Sequence, residues 1–435
     1  MSWSSDEGRW GRFHVQVFIT FLAQGSDLLL RTASVAVVAR WLGPEGKGVL
    51  VLALLVPGML GLFLDMGVSV SNVYFAGSGK LDVRKLLGSS IGLGLASTAF
   101  GLVLVAICIR VGLLGRLVPG VPAELLALAM ANLPISLLSG YLLAVLQGLG
   151  RIVTVNIVKL LQGIIMFILT VLLVVMSGFG LWGALVAWLV GGLGCLSGAV
   201  FALRGEGTPF KPAWDVEATG KLLSFGLKGY VGNILQFFNY RLDMFLVNYF
   251  LGPASVGMYS VAVRLGEMLW YLPNAVGFVI FPKAASTDAE EMNTFTPKVF
   301  RTTLVLTAAG ALALGAVGRP LIGFVFSDAF LPSYSSMLVL LPGVVLLGTS
   351  KVLTNEITGR GYPHYNSINA GTALVLTVIL DLLLIPRYGI SGAALASSVA
   401  YSVILFVAIG FYIAVSGSKV RTLLLPARSW HLRHG

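Results

Sequence analysis

The stretch RWLGPEGKGVLVLALL (40–55) returns in altered form as YFLGPASVGMYSVAVR (249–264). Each copy has a Leu-Gly-Pro corner (42–44 and 251–253), a glycine four residues after the proline (Gly48, Gly257), and apolar runs on both sides. Proline with a fixed φ suits the first position of a helix, and glycine suits the turn before it. The corner therefore reads as a tight connection between two apolar helices. Two further matches follow: Gly150-Arg151 with Gly359-Arg360, and Phe179-Gly180-Leu181 plus Gly183-Ala184 with Tyr388-Gly389-Ile390 plus Gly392-Ala393. Residues 253, 360 and 389 each follow their partners 44, 151 and 180 by the same 209 positions. One Gly-Pro match would mean little, but three at one spacing mark a duplicated unit.

The composition says where such a unit sits. Of 435 residues, 57% are hydrophobic and 11% charged, against about 25% charged in a soluble domain. Charged clusters separate apolar stretches of roughly 20–30 residues, each long enough to cross a hydrocarbon core of about 30 Å as a helix. The 53 glycines suit close helix contact in lipid. The spacing predicts an all-α, polytopic membrane protein of twelve helices at 14–41, 48–76, 86–110, 122–146, 152–177, 180–203, 222–250, 256–282, 302–326, 333–357, 364–385 and 390–414. The domain reading is an N-terminal six-helix lobe (1–203), a cytoplasmic linker (204–221), a C-terminal six-helix lobe (222–414) and a basic cytoplasmic tail (415–435). Because six helices separate equivalent points, the lobes are expected to be related by a pseudo-twofold along the membrane normal.

The net charge of +11 reflects basic helix ends and not a nucleic-acid surface. With the N-terminus cytoplasmic, seventeen Lys and Arg fall on the inner side and six on the outer, which places both termini inside. Residues 1–14 (MSWSSDEGRWGRFH) lack the short apolar core of a cleaved signal. Cys108 and Cys195 lie in apolar stretches, so neither a disulfide nor a thiolate metal site is expected. The longest connections, about 204–221 and 283–301, leave no room for a soluble catalytic domain. The reading is a transporter with no catalytic residues, cofactor or metal.

Polar groups inside the spans mark the working face. Gln24, Asp27, Arg31 and Ser34 recur at spacings of 3, 4 and 3 and share one stripe of the first helix. Their counterparts at +209 are Asn233, Gln236, Tyr240 and Asp243. Arg31 precedes Pro44 by 13 residues, Arg241 precedes Pro253 by 12, and Arg264 follows Pro253 by 11. At 1.5 Å per residue all three lie roughly 16–20 Å below the outer turns. They have two readings. As internal glue, Arg31 pairs with Asp27 at i,i+4 and Arg264 with Glu267 at i,i+3. As an anion site, three guanidinium groups at one depth grip phosphate in a bidentate way. Arg241 then is expected to be the least substitutable, since its nearest acid, Asp243, leaves the helix in another direction. Lys159 and Lys228 sit near inner helix ends and suit snorkelling. Lys351, with Asn355 and Glu356, sits deeper. Asp65 and Asp381 read as hydrogen-bond partners between helices or as proton or cation sites, and Asp27, Asp65 and Asp243 are the candidates for ion coupling. Six intramembrane cations (Arg31, Lys159, Lys228, Arg241, Arg264, Lys351) face six acids (Asp27, Asp65, Asp243, Glu267, Glu356, Asp381).

The stretch RLDMFLVNYFLGPASVGMYSVAVRL (241–265), with Phe281-Pro282, resembles the start of the second half of polysaccharide flippases. ARWLGPEGKGVL (39–50) resembles their first outer turn and IPRYGISGAALA (385–396) their last. The resemblance covers about residues 13–415. It points to the O-antigen or exopolysaccharide branch of the multidrug/oligosaccharidyl-lipid/polysaccharide exporter superfamily. It implies two six-helix lobes around a central cavity, alternating access, and residence in the cell inner (cytoplasmic) membrane. The implied cargo is an undecaprenyl- or related polyprenyl-pyrophosphate-linked glycan, with polymerase and chain-length proteins as partners. The family's cavity arginines map onto Arg31, Arg241 and Arg264, with Tyr240, Asn233, Gln236 and Gln24 beside them. The lipid II flippases of the superfamily have two more helices and a more arginine-rich first helix, which this chain lacks. Two rivals remain: a cation-coupled multidrug exporter, in which Asp27 and Asp65 dominate, and a membrane glycosyltransferase, polymerase or ligase, which needs an external loop bearing acids.

Overall fold

The computed structural model describes residues 4–205 and 214–424, with side chains from Leu22 onward apart from Gln24, Leu117, Lys228, Phe278, Pro282, Ser286 and Leu424. The described residues are helical with no strand. They divide into two compact units, 1–231 and 232–435.

The first unit opens with α1 (Ser4–Asp65), broken at Gly43 (φ 66, ψ −176) ahead of Pro44. There follow α2 (Val68–Ser78), α3 (Val83–Arg110), α4 (Leu113–Leu117), α5 (Ala123–Met130), α6 (Asn132–Gly148), α7 (Ile152–Thr170) and α8 (Gly180–Gly205). A π-helical turn, Val171–Met176, continues α7. The long helix α9 (Val216–Leu251) begins in this unit and ends in the second, so the boundary falls inside a helix. Asp215 caps α9. The Ala218 backbone N–H, and then the Lys85 ammonium at 2.9 Å, hold its carboxyl below the usual carboxylate range. The second unit adds α10 (Pro253–Glu267), a 3-10 turn, α11 (Tyr271–Ser286), α12 (Ala289–Phe326), α13 (Ser333–Gly359), α14 (His364–Tyr388), α15 (Ile390–Ser416) and α16 (Val420–Leu424).

Nine stretches among the described residues are long and apolar enough to span a membrane, and the first, Gly25–Asp65, holds the first two of the twelve expected helices on either side of Gly43. The expected helices 7 and 8 exist as α9 and as α10 plus α11 and are not among the nine; α10 and α11, at 15 and 16 residues, are each too short to span alone. Other boundaries also differ. The first helix begins at Ser4, the second breaks at Met66–Gly67, the fourth is split at Ala131, and the ninth starts at Ala289. The expected linker is helical from Val216. Within the expected tail, Leu423 is fully buried beside Phe300 and Tyr412, and Arg301 Nη1 donates to the Thr422 carbonyl at 2.8 Å. The basic residues beyond 424 lie outside the described residues.

The duplication is visible in the backbone. Gly43 and Gly252, and likewise Gly180 and Gly389, have positive φ at matching positions 209 apart. The middle match is displaced. Gly150 has φ 76 and closes its helix with bonds from 149, 150 and 151 to 145, 147 and 146. The same pattern in the second unit runs from 360, 361 and 362 to 356, 358 and 357. The true partner of Gly150 is therefore Gly361, not Gly359, and Arg151 corresponds to Tyr362. Thirty residues separate Gly150 from Gly180 but twenty-eight separate Gly361 from Gly389. The π-helical turn sits within the longer interval, as extra residues in a helix would require.

Close packing follows from small residues. Gly343 of α13 lies so near α15 that a Cβ on it would come within 2.4 Å of Ser398 Cα. Gly343→Ala is expected to destabilise the protein by about 1–3 kcal/mol through overpacking against backbone. Gly410→Ala, with nothing within 4 Å, should be neutral or slightly stabilising by helix propensity. Melting midpoints in detergent check the contrast; equal midpoints would show that α13 and α15 have slack.

Candidate functional site

Each unit carries a polar cluster. In the first, Arg31 Nε sits 2.8 Å from Asp27 Oδ2, and Arg31 Nη2 reaches Gln162 Oε1 at 3.4 Å. Asp27 Oδ1 also lies where a side chain on Gly163 would stand, so the glycine makes room for the pair. Ser34 bonds back to the Leu30 carbonyl of its own helix. Asp65, a candidate for ion coupling, is occupied elsewhere. It accepts from the Ser69 hydroxyl at 2.6 Å and the Gly67 N–H at 3.1 Å, and so caps α2 after the left-handed residues Met66 and Gly67. Lys159 is exposed. The side chains of Gln24 and Lys228 lie outside the described residues.

The second unit departs from the expected pairing. Glu267 does not pair with Arg264 one turn back; Arg241 Nη1 holds it at 2.8 Å from α9. The i,i+3 reading failed because the α9–α10 packing brings a better-aligned fork to the carboxylate. Arg264 Nε is consequently buried with no acceptor among the described residues. The expectation that Arg241 is the uncompensated cation is thus corrected: Arg264 is. Gln236 bonds Tyr240 one turn on, and the Tyr240 ring packs on Trp270 at 5.2 Å between centroids. Lys351 Nζ donates to Asn274 Oδ1 at 2.8 Å and lies 4.5 Å from the centre of the Trp270 ring. Asn233 is exposed.

Behind this wall lie the acids. Asp243 is 2% exposed and accepts from the Tyr259 hydroxyl at 2.6 Å, with Ser397 Oγ 3.4 Å from that hydroxyl. Asp381 is fully buried, and neither carboxylate oxygen has a hydrogen-bond partner among the described residues. The reading of Asp381 as a hydrogen-bond partner between helices is therefore overturned. Glu356 is satisfied on one oxygen by Arg360 at 2.6 Å, which also donates to Asn293. Trp270, Asn274, Asn369 and Thr377 were not singled out from sequence. The polar run Asn366, Asn369, Thr377, Asp381 on one apolar helix is the signal that exposes the last two.

Comparison with known proteins gives this arrangement a context. The family described as polysaccharide biosynthesis protein matches residues 37–335, more than half of the chain. The chain belongs to that family. A Shigella flexneri protein named "Putative O-antigen transporter" is 23% identical over 392 residues, covering 85% of this chain and 90% of that one. "Probable flippase AglR" of Haloferax volcanii is 29% identical over 187 residues, 40% of this chain and 38% of the relative. The chain thus spans under two-fifths of the length of the archaeal relatives it matches first. Among solved structures, the lipid II flippase MurJ in an inward closed conformation superposes with a TM-score of 0.76 at 17% identity, covering 92% of this chain and 90% of that chain. An inward-facing multidrug resistance transporter of the MATE family gives 0.72 at 17% identity, covering 90% and 95%. These likenesses establish the fold and bear out the resemblance to polysaccharide flippases within the wider superfamily. The chain is a multi-pass membrane protein whose named relatives are flippases and transporters, not catalysts.

Proposed function

We propose that this member of the polysaccharide biosynthesis protein family moves a polyprenyl-pyrophosphate-linked glycan from the cytoplasmic to the outer leaflet by alternating access. The observation that carries this is Arg264, whose guanidinium Nε is buried without an acceptor among the described residues. A permanent cation in a membrane span needs an anion, and the nearby acid is committed to Arg241. A pyrophosphate supplies the missing acceptors in the planar, two-pronged geometry that guanidinium matches. Tyr240, Gln236 and Asn233 of the same unit add polar groups for head group and sugar. The glycan's lipid tail need not leave the bilayer. Asp243 and Asp381 bind the coupling cation. Asp27, paired with Arg31, and Asp65, which caps α2, hold structure. Two negative charges moving outward also run downhill in an inside-negative potential, by roughly 2.3 kcal/mol per charge per 100 mV.

The test uses liposomes containing the purified protein and a fluorescent short-chain polyprenyl-pyrophosphate N-acetylglucosamine. Transfer between leaflets, read by quenching from outside, is expected to be about tenfold or more faster for the pyrophosphate than for the matching free alcohol-linked sugar, a difference of about 1.4 kcal/mol or more in favour of the charged head group. Equal rates would overturn the phosphate site. The multidrug-exporter reading rises only if ethidium is expelled under the same conditions.

The proposed orientation places both termini in the cytoplasm of a bacterial-type inner membrane, with the Gly43 and Gly252 corners outside. Cysteines introduced at Glu45 and Ala254 should then react with an impermeant maleimide added to intact cells. Reaction only after the inner face is opened would reverse the topology.

A further inference from the structure

Helices α9 and α14 lie side by side, with Gly232 against Ser367 and Gly371 against Leu235. Where α13 meets them a crevice of about 70 Å³ opens, lined by Gln236, Asn239, Ser350, Lys351, Asn366 and Asn369 among others. Gln236 also bonds Tyr240 on the polar stripe of α9, so the crevice continues the lining proposed for the cargo. Lys351 is the one charged residue of the crevice lining. It makes no ion pair among the described residues. Its ammonium donates to neutral Asn274 at 2.8 Å and lies 4.5 Å from the centre of the Trp270 ring. The acid whose charge reaches it, Glu267, is held by Arg241. Two cations thus share one carboxylate, and one positive charge is left over. An ammonium without a counter-charge in a membrane span marks a place where cargo passes.

The missing anion is not the pyrophosphate at Arg264. Asn274, which holds the Lys351 ammonium, follows Arg264 by ten residues. That is roughly 15 Å along the α10–α11 axis at 1.5 Å per residue. Helical side chains lean toward the N-terminus, which carries Arg264 further from Asn274. Two phosphates joined through one oxygen do not bridge that gap. The uncharged lining narrows the choice. Asn369 is 3% exposed, donates its amide N–H to the Ile404 carbonyl at 3.1 Å, and keeps an Oδ1 with no donor among the described residues. The crevice therefore needs a negative charge at Lys351 and a hydroxyl donor at Asn369. A phosphate dianion brings acceptors alone. A sugar acid brings both, a carboxylate and the ring hydroxyls beside it. At roughly 10–15 Å³ per water, a crevice of about 70 Å³ has room for a carboxylate and an adjoining hydroxyl in place of its waters.

We infer that the Lys351 crevice is a sugar subsite that takes the carboxylate of a hexuronic acid in the glycan, with Asn369 accepting from a neighbouring hydroxyl. This rests on the cargo reading above and adds the substrate class: a glycan with an acidic sugar among the first few residues after the pyrophosphate. Arg264 then grips what every lipid-linked cargo carries, and Lys351 selects among the glycans attached to it.

Paired probes in the liposome assay test it, with no membrane potential imposed. One is a short-chain polyprenyl-pyrophosphate disaccharide ending in glucuronic acid, the other the same molecule ending in glucose. The full-length protein is expected to move the acid about tenfold faster than the neutral probe. Lys351→Met, which keeps the length of the side chain without its charge, should bring that ratio to about one, and Lys351→Arg should retain most of it. Taking the ratio within each variant cancels differences in the amount of folded protein. The methyl ester of the glucuronate probe removes the charge without touching the protein, and should move at the glucose rate. A wild-type ratio near one, a ratio unchanged in Lys351→Met, or an ester as fast as the free acid would overturn the subsite. Transport that needs pyrophosphate but ignores the acid sinks this inference alone. Transport that prefers the acid but runs as fast without pyrophosphate sinks the phosphate assignment alone.

Discussion

Arg264→Ala abolishes glycan export while leaving the protein as stable as before, and Arg241→Ala does the reverse in the larger part: that is the expected result. Arg264 brings a buried donor with no acceptor. Deleting it removes an unsatisfied group and costs the resting fold little. It also removes the guanidinium that the pyrophosphate would engage. Truncating one partner of a buried charge pair costs about 2–5 kcal/mol, or roughly thirtyfold or more in transport. Arg241 is already engaged with Glu267, and their side chains are 29% and 18% exposed. Arg241→Ala leaves Glu267 stranded, at about 2–3 kcal/mol of stability after allowing for partial exposure. Arg241→Ala with Glu267→Ala should recover that stability. Surface glycan measured at equal protein level, with melting midpoints beside it, separates the two arginines. Normal export from Arg264→Ala would refute the phosphate assignment, and an unchanged melting midpoint in Arg241→Ala would refute the pairing.

Asp381→Leu is expected to stabilise the protein while destroying its ion dependence. Both oxygens of Asp381 are buried without donors among the described residues. A buried polar group left unpaired costs about 1–3 kcal/mol, and a leucine, which keeps the branched shape with two methyl groups in place of the oxygens, recovers that and adds packing in the α9–α14 seam. Most core substitutions destabilise, so a rise in melting midpoint is a sharp outcome. Transport of the pyrophosphate probe should then lose its response to Na⁺ and pH gradients. A fall in midpoint would mean that Asp381 has partners supplied by tightly held water. A retained gradient response would move coupling away from this pair. Residues that lower stability where they stand are commonly kept for function, and the two readouts together test that trade.

Much of the architecture was legible in the residues, because lipid leaves few solutions. Apolar stretches of spanning length become helices, and Gly-Pro corners end them. The Leu42-Gly43-Pro44 and Leu251-Gly252-Pro253 corners behave as their chemistry requires. Harder to read was who pairs with whom. Arg264 and Glu267 are three residues apart, and local spacing favours them. The carboxylate goes to Arg241, twenty-six positions away, because tertiary packing sets the distance. Asp65 looked functional by depth but serves a break in the backbone at Met66 and Gly67, which no periodicity reveals. The α14 stripe was overlooked for a related reason. Asn369 and Thr377 are modest polar residues in an apolar run, and their meaning depends on Asn239 lying opposite.

The π-helical turn at Val171–Met176 has a consequence for ancestry and for engineering. A duplicated gene begins with identical halves. Here the outer corners keep one spacing while the inner corner has slipped by two residues relative to both, so insertion or deletion acted on either side of Gly150 or Gly361 after duplication. The wide turn marks where the first half absorbed part of that change without unravelling its helix. Hybrids that exchange segments between the halves, or between this protein and a relative, should therefore be joined at Gly43/Gly252 or Gly180/Gly389. A graft joined by pairing Gly150 with Gly359 would enter the next helix two residues out of phase. That is about 200° of rotation at 3.6 residues per turn, enough to turn a lipid-facing stripe inward.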